Sequence, residues 1–404
     1  MKKVKLKEIL EVKRGTSLSG KYYSDTGDKI RLTLGNFDYP GGGFKENTAK
    51  ADIYFTGEVK PQFILKKGDI ITPLTEQVSG LLGETAIIPE DNKYIQSGDI
   101  GLVIPNPKEL DSRFAYYLIS SSIIKKQLDV SSQQTKIRHT SPEKIMDCIA
   151  WIPELKIQRK IAKFLDFINE KIKNNSKINN NLEELMKTIY QRWFIEFEFP
   201  NKEGKPYKSN GGKLVYNDIL KKQIPEKWSV KKIGELTEVI TGKEDANFST
   251  QNGKYKFFTC SNEILQCDVS AFEGSSILIA GNGDFNVKHY TGRFNAYQRT
   301  YVLIPKDISL YCSMYISALY KINSFKRGSN GSIVKFITKN DVENIDVIIP
   351  NQKEYLKELN EIIFKIEKNN MENDKLKELK EFILPLLMNS QINVDDIESW
   401  SDKL

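Results

Sequence analysis

The chain has 404 residues, of which 39% are hydrophobic and 28% charged. This composition supports folded cores and excludes a disordered chain, and the length predicts two or three domains. A net charge of +7 permits binding to a polyanion without requiring it. The sequence has no apolar run of about 20 residues and no apolar signal core near its start, so we predict a cytoplasmic protein without membrane contact.

Four cysteines, Cys148, Cys260, Cys267 and Cys312, are too scattered for a disulfide framework and are interpreted as free thiols. Cys260 and Cys267 with His289 could be imagined as zinc ligands. No close pair of ligands exists among them, so buried thiols are the favoured interpretation and no metal site is predicted.

In chain order, each half begins with a short amphipathic segment that ends in a turn, Lys5–Gly15 and Lys232–Gly242. Strand-like runs come next, separated by glycines and asparagines. A helix with aromatic residues is then predicted, over about Phe114–Leu128 in the first half and Tyr311–Phe325 in the second. Each half is therefore predicted to be a mixed globular domain of mostly β character that leads into a long helix.

Two long heptad runs are the clearest repeat. In each run apolar residues recur at steps of four and three around two central asparagines, and the second run lies at an offset of 194 residues from the first. This period predicts two helices that pair as a coiled coil. The predicted seam consists of Ile161, Leu165, Ile168, Ile172, Asn175, Asn179, Leu182, Met186, Ile189, Trp193, Tyr355, Leu359, Ile362, Ile366, Asn369, Asn373, Leu376, Ile383 and Leu387. Lys380 stands at the remaining position of the second run.

The two helices can pair in parallel or antiparallel fashion, and the asparagines match in both. In the antiparallel pairing that we favour, a local two-fold axis makes residue numbers across the seam sum to a constant. That register places Asn175 opposite Asn373, Asn179 opposite Asn369, Trp193 near Tyr355 and Met186 near Ile362. The polar centre either fixes the register or also marks where the pair contacts a partner or bends.

The predicted fold class is α+β, with two globular domains separated by two long helices in an antiparallel coiled coil and a pseudo-two-fold internal repeat. The predicted segments are domain 1–154, helix 155–195, a connector rich in proline and glycine at 196–227, domain 228–350, helix 351–388 and an acidic tail at 389–404.

Three segments resemble type I restriction-modification specificity subunits. Ile152–Ala162 leads into a long helix in the manner of the family's central conserved region, and Tyr190–Pro200 and Ile224–Trp228 resemble its later segments. The second copy, Ile349–Gln352, is a weaker match. The order of domain, helix, domain and helix extends the resemblance over essentially the whole chain.

The resemblance implies that the globular domains are target recognition domains, each reading one half of an asymmetric, interrupted DNA sequence. The helices would act as a spacer and as a docking surface for two methyltransferase subunits, and restriction subunits would join that core. S-adenosylmethionine would be bound by the partners and not by this chain.

The residues agree with a chain that performs no chemistry. There is no methyltransferase Asn-Pro-Pro-Tyr motif and no Walker lysine, and the run Gly281–Gly283 lacks the third glycine of a dinucleotide fingerprint. No catalytic residue is predicted. Two alternatives stay open: a stand-alone bipartite DNA-binding or regulatory protein, and a coiled-coil adaptor whose globular ends bind proteins.

Base reading requires arginine, asparagine and glutamine on exposed loops, while lysine and backbone amides hold phosphates. The loop 131–139 is the richest stretch in the first domain, and the stretch 290–299 mixes basic and aromatic residues in the second. The candidates for DNA contact are Tyr39, Phe44, Lys45, Gln77, Gln133, Gln134, Lys136, Arg138, Asn282, Asn286, Lys288, Tyr290, Arg293, Tyr297, Arg299, Asn330 and Lys335. Because these loops differ between the halves, the two half-sites should differ as well.

Overall fold

A computed structural model describes residues 1–39, 42–76, 80–131, 138–250, 253–326 and 336–388. The chain divides into two units, of which unit 1 comprises Met1–Lys173 and the residues from Asn373 on, and unit 2 comprises Asn174–Glu372. Each unit holds one globular domain and a segment of both long helices. Within the described ranges no helix is long and apolar enough to cross a membrane.

Unit 1 is built from short strands that form several small sheets. The strands are β1 (Lys2–Lys5), β2 (Leu10–Arg14), β3 (Tyr23–Ser24), β4 (Ile30–Arg31), β5 (Tyr54–Phe55), β6 (Ile70–Pro73), β7 (Thr75–Glu76), β8 (Ala86–Ile87), β9 (Tyr94–Ile95), β10 (Ile100–Pro105), β11 (Arg138–His139) and β12 (Ile149–Ile152). They are ordered β2-β10-β6-β8 and β3-β5-β4-β9 in two four-stranded sheets, with the pairs β1-β12 and β11-β7 beside them.

The helices of unit 1 are α1 (Ser112–Ile119), α2 (Ser122–Ser131), α3 (Pro142–Met146) and the first part of α4 (Leu155–Tyr190). The prediction of a single aromatic helix over about Phe114–Leu128 is wrong, because α1 and α2 are separate helices. The hydroxyl of Ser120 donates to the carbonyls of Tyr116 and Tyr117, and the Ser121 hydroxyl donates to Leu118 O at 2.6 Å. Serine hydroxyls thus satisfy carbonyls that a continued helix would have used.

Unit 2 contains the hairpin β13 (Leu214–Asn217) and β14 (Lys222–Pro225), and then the strands of its globular domain. These are β15 (Ser229–Lys232), β16 (Val239–Thr241), β17 (Tyr255–Phe258), β18 (Ile264–Cys267), β19 (Phe272–Ala280), β20 (Val287–Ala296), β21 (Thr300–Leu303) and β22 (Asp346–Ile349). The helices are α5 (Ile233–Leu236), α6 (Tyr311–Lys326), α7 (Lys339–Glu343) and the first part of α8 (Lys353–Met388).

The internal repeat is visible in the sheet order of each unit. The unit 2 sheet runs β16-β21-β19-β20-β17-β18, so its first four strands match the order β2-β10-β6-β8 of unit 1. The pair β15-β22 likewise matches β1-β12. The opening turns correspond in detail, because the backbone N–H of Lys5 donates to Glu8 Oε1 and that of Lys232 donates to Glu235 Oε1, both at 2.8 Å.

The long helices pack against each other in antiparallel fashion within each unit. In unit 1, Ile161, Leu165 and Ile168 of α4 share a buried core with Leu376 and Ile383 of α8. In unit 2 the ring centroids of Trp193 and Tyr355 lie 5.6 Å apart, as the predicted register requires. The α+β class and the antiparallel helix pair are confirmed. Every residue of the predicted seam is buried or half-buried.

The connector in unit 2 is more ordered than its proline and glycine content suggested. A π-helical turn at Gln191–Ile195 ends α4, and an aromatic cluster lies just beyond it. Phe199 stacks on Tyr207 at 4.5 Å and on Trp228 at 4.6 Å, while the Tyr355 hydroxyl donates to Pro200 O at 2.7 Å. These contacts fix the connector against α8 and the start of the second domain.

Candidate nucleic-acid interface

Glu76 contacts Gly80, Leu82 and Arg138 of unit 1. Its side chain is 2% exposed, and Oε2 accepts hydrogen bonds from the backbone N–H groups of Gly80 at 3.1 Å and Leu82 at 2.9 Å. Its Oε1 lies 3.0 Å from Nη1 of Arg138, which also pairs with Asp129. Arg138, predicted to read DNA, therefore bridges two acids of its own domain.

Tyr39 lies beside Gly80 of the same segment. A Cβ on Gly80, whose φ is +96°, would sit 2.3 Å from the Tyr39 hydroxyl, so only glycine fits there. Phe44 packs edge-to-face on Tyr94 at 5.0 Å, which makes it a core anchor of the loop. Lys45 is exposed beside it. Among the described candidates of unit 1, Lys45 is the side chain best presented to a phosphate.

In unit 2 the structure brings Asn282 and Arg299 together in one cleft of about 240 Å³. The cleft is lined by Gly281, Asn282, Gln298, Arg299, Tyr301, Phe336 and Ile337. Gln298 lies within the candidate stretch 290–299 but was not singled out from the sequence. It is exposed, and its Nε2 donates to Asp245 Oδ1 at 2.6 Å, which orients the amide.

Backbone contacts hold the cleft in shape. The N–H of Gly281 donates to Arg299 O at 2.9 Å, and the N–H of Ile337 donates to Gly281 O at 2.8 Å. A Cβ on Gly281 would lie 2.7 Å from Arg299 O, so this close approach requires glycine. The Tyr301 hydroxyl donates to Ile337 O at 2.9 Å and so joins two of the residues that line the cleft.

Asn286 and Lys288 tie the start of β20 to a neighbouring loop. Asn286 Nδ2 donates to Cys260 O at 2.8 Å, and Lys288 Nζ donates to Ser261 O at 2.6 Å and to Asn286 Oδ1. Desolvation of the ammonium lowers the pKa of Lys288 to about 8. Both side chains are half-buried, and the charge of Lys288 depends on pH near neutrality.

The basic and aromatic stretch 290–299, which begins on β20 and runs beyond its end, divides into packing and exposed residues. Tyr290 packs between Phe258 and Phe294, with ring centroids 5.3 and 5.8 Å away. Arg293 is exposed and its guanidinium lies 5.0 Å from the ring centroid of Tyr255. The backbone N–H of Tyr297 donates to Phe258 O at 2.9 Å. The exposed cations of the stretch 290–299 are Arg293 and Arg299.

Six sequence candidates lie outside the described residues, namely Gln77, Gln133, Gln134, Lys136, Asn330 and Lys335. Their part in DNA contact stays a prediction. In the part of the chain that the structure does describe, no group of three or more His, Cys, Asp or Glu residues is arranged to hold a metal ion. The four cysteines are free thiols.

Comparisons with known proteins agree with the two-fold organisation. A family model described as the type I restriction modification DNA specificity domain matches residues 1–184 and 225–381. The EcoDI specificity subunit of Escherichia coli is 34% identical over 177 residues, which are 42% of this chain and 40% of that subunit. The MjaIX specificity subunit of Methanocaldococcus jannaschii is 24% identical over 71% of this chain and 70% of its own length.

A crystal structure of a type I restriction-modification S subunit from M. genitalium has the same fold. The two structures superpose with a TM-score of 0.53 at 16% identity, and the aligned region covers 96% of each chain. The family model covers both globular domains and most of both long helices. The chain therefore belongs to the type I restriction-modification DNA specificity family.

Proposed function

We propose that the chain reads an asymmetric, bipartite DNA sequence, one half with each globular domain, and performs no chemistry itself. The observation that carries this proposal is that a common sheet order presents different side chains in the two units. Unit 1 presents the exposed Lys45, and its Arg138 is paired with Glu76, whereas unit 2 presents Asn282 and Arg299 in a cleft. Different side chains on a common scaffold would recognise different bases.

The cleft of unit 2 has the donor and acceptor groups that base reading needs. An arginine such as Arg299 can donate two hydrogen bonds to the O6 and N7 atoms of guanine. The amides of Asn282 and Gln298 suit the N6 and N7 atoms of adenine. Lys45 and Arg293 carry the exposed charge expected of groups that hold phosphates. We infer that unit 2 reads at least one purine.

The chemistry would belong to partner subunits. We propose that two methyltransferase subunits dock on the long helices, bind S-adenosylmethionine and methylate the site, and that restriction subunits join this core. Exposed apolar residues support docking on the helices. On α4 in unit 2, Ile178 is 44% and Leu185 is 47% exposed one heptad apart, and Phe382 of α8 in unit 1 is 68% exposed. Ile178 and Leu185 are one heptad apart and so lie on the same face of α4, where a partner could cover them.

Co-purification with a methyltransferase tests the proposal. The chain should isolate with that partner, and the complex should methylate DNA only when both the chain and the methyl donor are present. The double substitution Ile178→Glu, Leu185→Glu should lose the partner. The matched control Lys177→Glu, Asn180→Glu, at exposed polar positions of the same helix, should retain it.

Two outcomes would contradict the proposal in different ways. A chain that binds DNA without any such partner would contradict the partner assignment. A chain that binds a protein independently of salt and ignores DNA would contradict DNA reading, because contacts to phosphates make affinity fall as the salt concentration rises.

A further inference from the structure

A buried tyrosine of unit 1 is hydrogen-bonded to an acid on the long helix. Tyr117, on α1 of the globular domain, is fully buried and its hydroxyl donates to Oδ1 of Asp166 on α4 at 2.6 Å. The same hydroxyl accepts a bond from Asn169 Nδ2 at 2.8 Å. Arg113 donates from Nε to Asp166 Oδ2 at 3.0 Å, and Lys380 of α8 donates to Asn169 Oδ1 at 3.1 Å.

Unit 2 contains a second contact of the same kind. Tyr311, at the start of α6, is fully buried and its hydroxyl donates to Oε1 of Glu367 on α8 at 2.5 Å. His289 Nδ1 lies 2.9 Å from the same oxygen, and the Thr291 hydroxyl donates to Oε2. His289 and Thr291 are on β20, so the carboxylate joins α8 to both the helix and the sheet of the second domain.

The two contacts are alike in kind, although their acids stand at different positions of the internal repeat. Tyr117 and Tyr311 are separated by the same offset of 194 residues that relates the two heptad runs. The position of α8 that corresponds to Asp166 is Asn360, and Glu367 lies one heptad beyond it on the same helical stripe. The chain thus places a tyrosine against a helix carboxylate twice, with different surrounding side chains.

These contacts restrict orientation more than apolar packing can. An apolar surface tolerates small rotations, whereas a short hydrogen bond to a carboxylate depends on both distance and angle. Burial raises the pKa of both tyrosines above the ordinary value of 10, so both hydroxyls stay protonated and remain donors. A rotation of either domain on its helix would take the tyrosine donor away from the half-buried Asp166 or from the buried Glu367, and the loss is costly at Glu367 above all.

We propose that Tyr117 with Asp166 and Tyr311 with Glu367 form two latches that fix the angle of each recognition domain on its own segment of the long helices. They are positioning residues for the reading of DNA, and this inference rests on the proposed function. Each latch acts within its own unit. A fixed domain angle makes the chain selective for the length of the spacer between the half-sites, because a domain free to rotate would accept half-sites at more than one separation.

The test uses the full chain with its methyltransferase partner and DNA whose half-sites have been identified from methylated adenines. Dissociation constants are measured for the native spacer and for a spacer longer by one base pair. The dissociation constant for the longer spacer divided by that for the native spacer should fall by roughly tenfold in the Tyr117→Phe, Tyr311→Phe variant. The reason is that losing a hydrogen bond to a charged group changes an equilibrium constant by about tenfold or more. Loss of stability alone would not change the ratio while the molecules remain folded.

Tyr23→Phe and Tyr207→Phe serve as matched controls, because their hydroxyls donate to Leu18 O and Lys213 O and bridge no domain to a long helix. Both controls should keep the wild-type ratio. An unchanged ratio of dissociation constants in the latch variant, or an equal fall in the controls, would contradict the proposal that the latches set spacer selectivity.

Failure of the proposed function is a separate outcome. If the wild-type complex binds both spacers with equal affinity, the proposed bipartite reading is wrong. Amide hydrogen exchange then tests whether the latches hold the domains on the helices. Faster exchange over 112–119 and 311–326 in the latch variant alone supports them, and unchanged exchange overturns them.

Discussion

Asn369 on α8 donates a hydrogen bond of 2.7 Å from Nδ2 to Oδ1 of Asn179 on α4. The two side chains are 4% and 5% exposed, so water cannot replace the bond easily. Nδ2 of Asn179 donates in turn to Asn370 Oδ1 at 2.8 Å. This buried pair fixes the antiparallel register of the helices in unit 2, because a shift of either helix would leave both amides unpaired.

The Asn369→Leu substitution should destabilise the protein by about 1 to 3 kcal/mol, because it leaves the buried Asn179 Oδ1 without a donor. The double substitution Asn179→Leu, Asn369→Leu should cost less than the sum of the two single changes, since removing both partners removes the penalty. Urea unfolding of the four proteins measures this coupling. Strictly additive costs would mean that the pair does not act as a unit.

The Arg299→Ala substitution should weaken binding to the cognate DNA by about 1 to 3 kcal/mol and relax selectivity at one base pair. Lys45→Ala should instead weaken binding to all sequences and reduce the salt dependence of log K by about one unit. Binding to a library of DNA variants at several salt concentrations separates the two effects. Equal, sequence-independent losses for both substitutions would remove Arg299 from base reading.

The charge of Lys288 predicts a pH dependence of DNA binding. Because its pKa is lowered to about 8, the ammonium is mostly protonated at neutral pH and loses its proton above about 8. If Lys288 contacts a phosphate, affinity should fall between about pH 7 and pH 9, and Lys288→Arg should abolish that fall because arginine stays charged. Fluorescence anisotropy with labelled DNA measures both profiles.

Unfolding cannot account for such a loss. The folded protein holds this proton less tightly than the unfolded chain, whose lysine has the ordinary pKa of 10.5. The contribution of Lys288 to the free energy of unfolding therefore increases as the pH rises from about 8 towards that value. Identical pH profiles for the wild type and Lys288→Arg would show that this amine does not contact DNA.

Gln158 predicts a stability effect in unit 1. It is fully buried on α4, its Oε1 accepts from the Asp111 N–H at 2.8 Å, and its Nε2 donates to Glu109 O and Pro153 O, both at 2.9 Å. Gln158→Leu should cost about 2 to 4 kcal/mol, because it leaves buried backbone groups unpaired. Lys163→Leu at an exposed position of the same helix should change stability by less than about 0.5 kcal/mol. Chemical denaturation compares the two.

Periodic features were predictable from the sequence, and contacts between distant residues were not. The heptad positions gave the register of the favoured antiparallel pairing, and Trp193 and Tyr355 meet as that register requires. The break between α1 and α2 was missed, because it depends on where the hydroxyls of Ser120 and Ser121 bond. Helical period alone does not report such local competition for carbonyls.

The candidate interface was predictable by residue type but not by environment. Arg299 and Arg138 looked equivalent as exposed loop arginines, yet Arg138 is 3.0 Å from the buried Glu76 while Arg299 is exposed. The acids that bind Tyr117 and Tyr311 lie 49 and 56 residues further along the chain. Such pairings depend on tertiary structure, so no local pattern could indicate them.

Sequencing of methylated adenines in cells with and without this chain tests the central claim most directly. We expect one bipartite motif with two different half-sites to be methylated only when the chain is present, and Arg299→Ala to relax the bases of one half-site while leaving the other unchanged. Methylation that is the same in both cells, or a lost motif without two separated halves, would contradict bipartite reading by this chain.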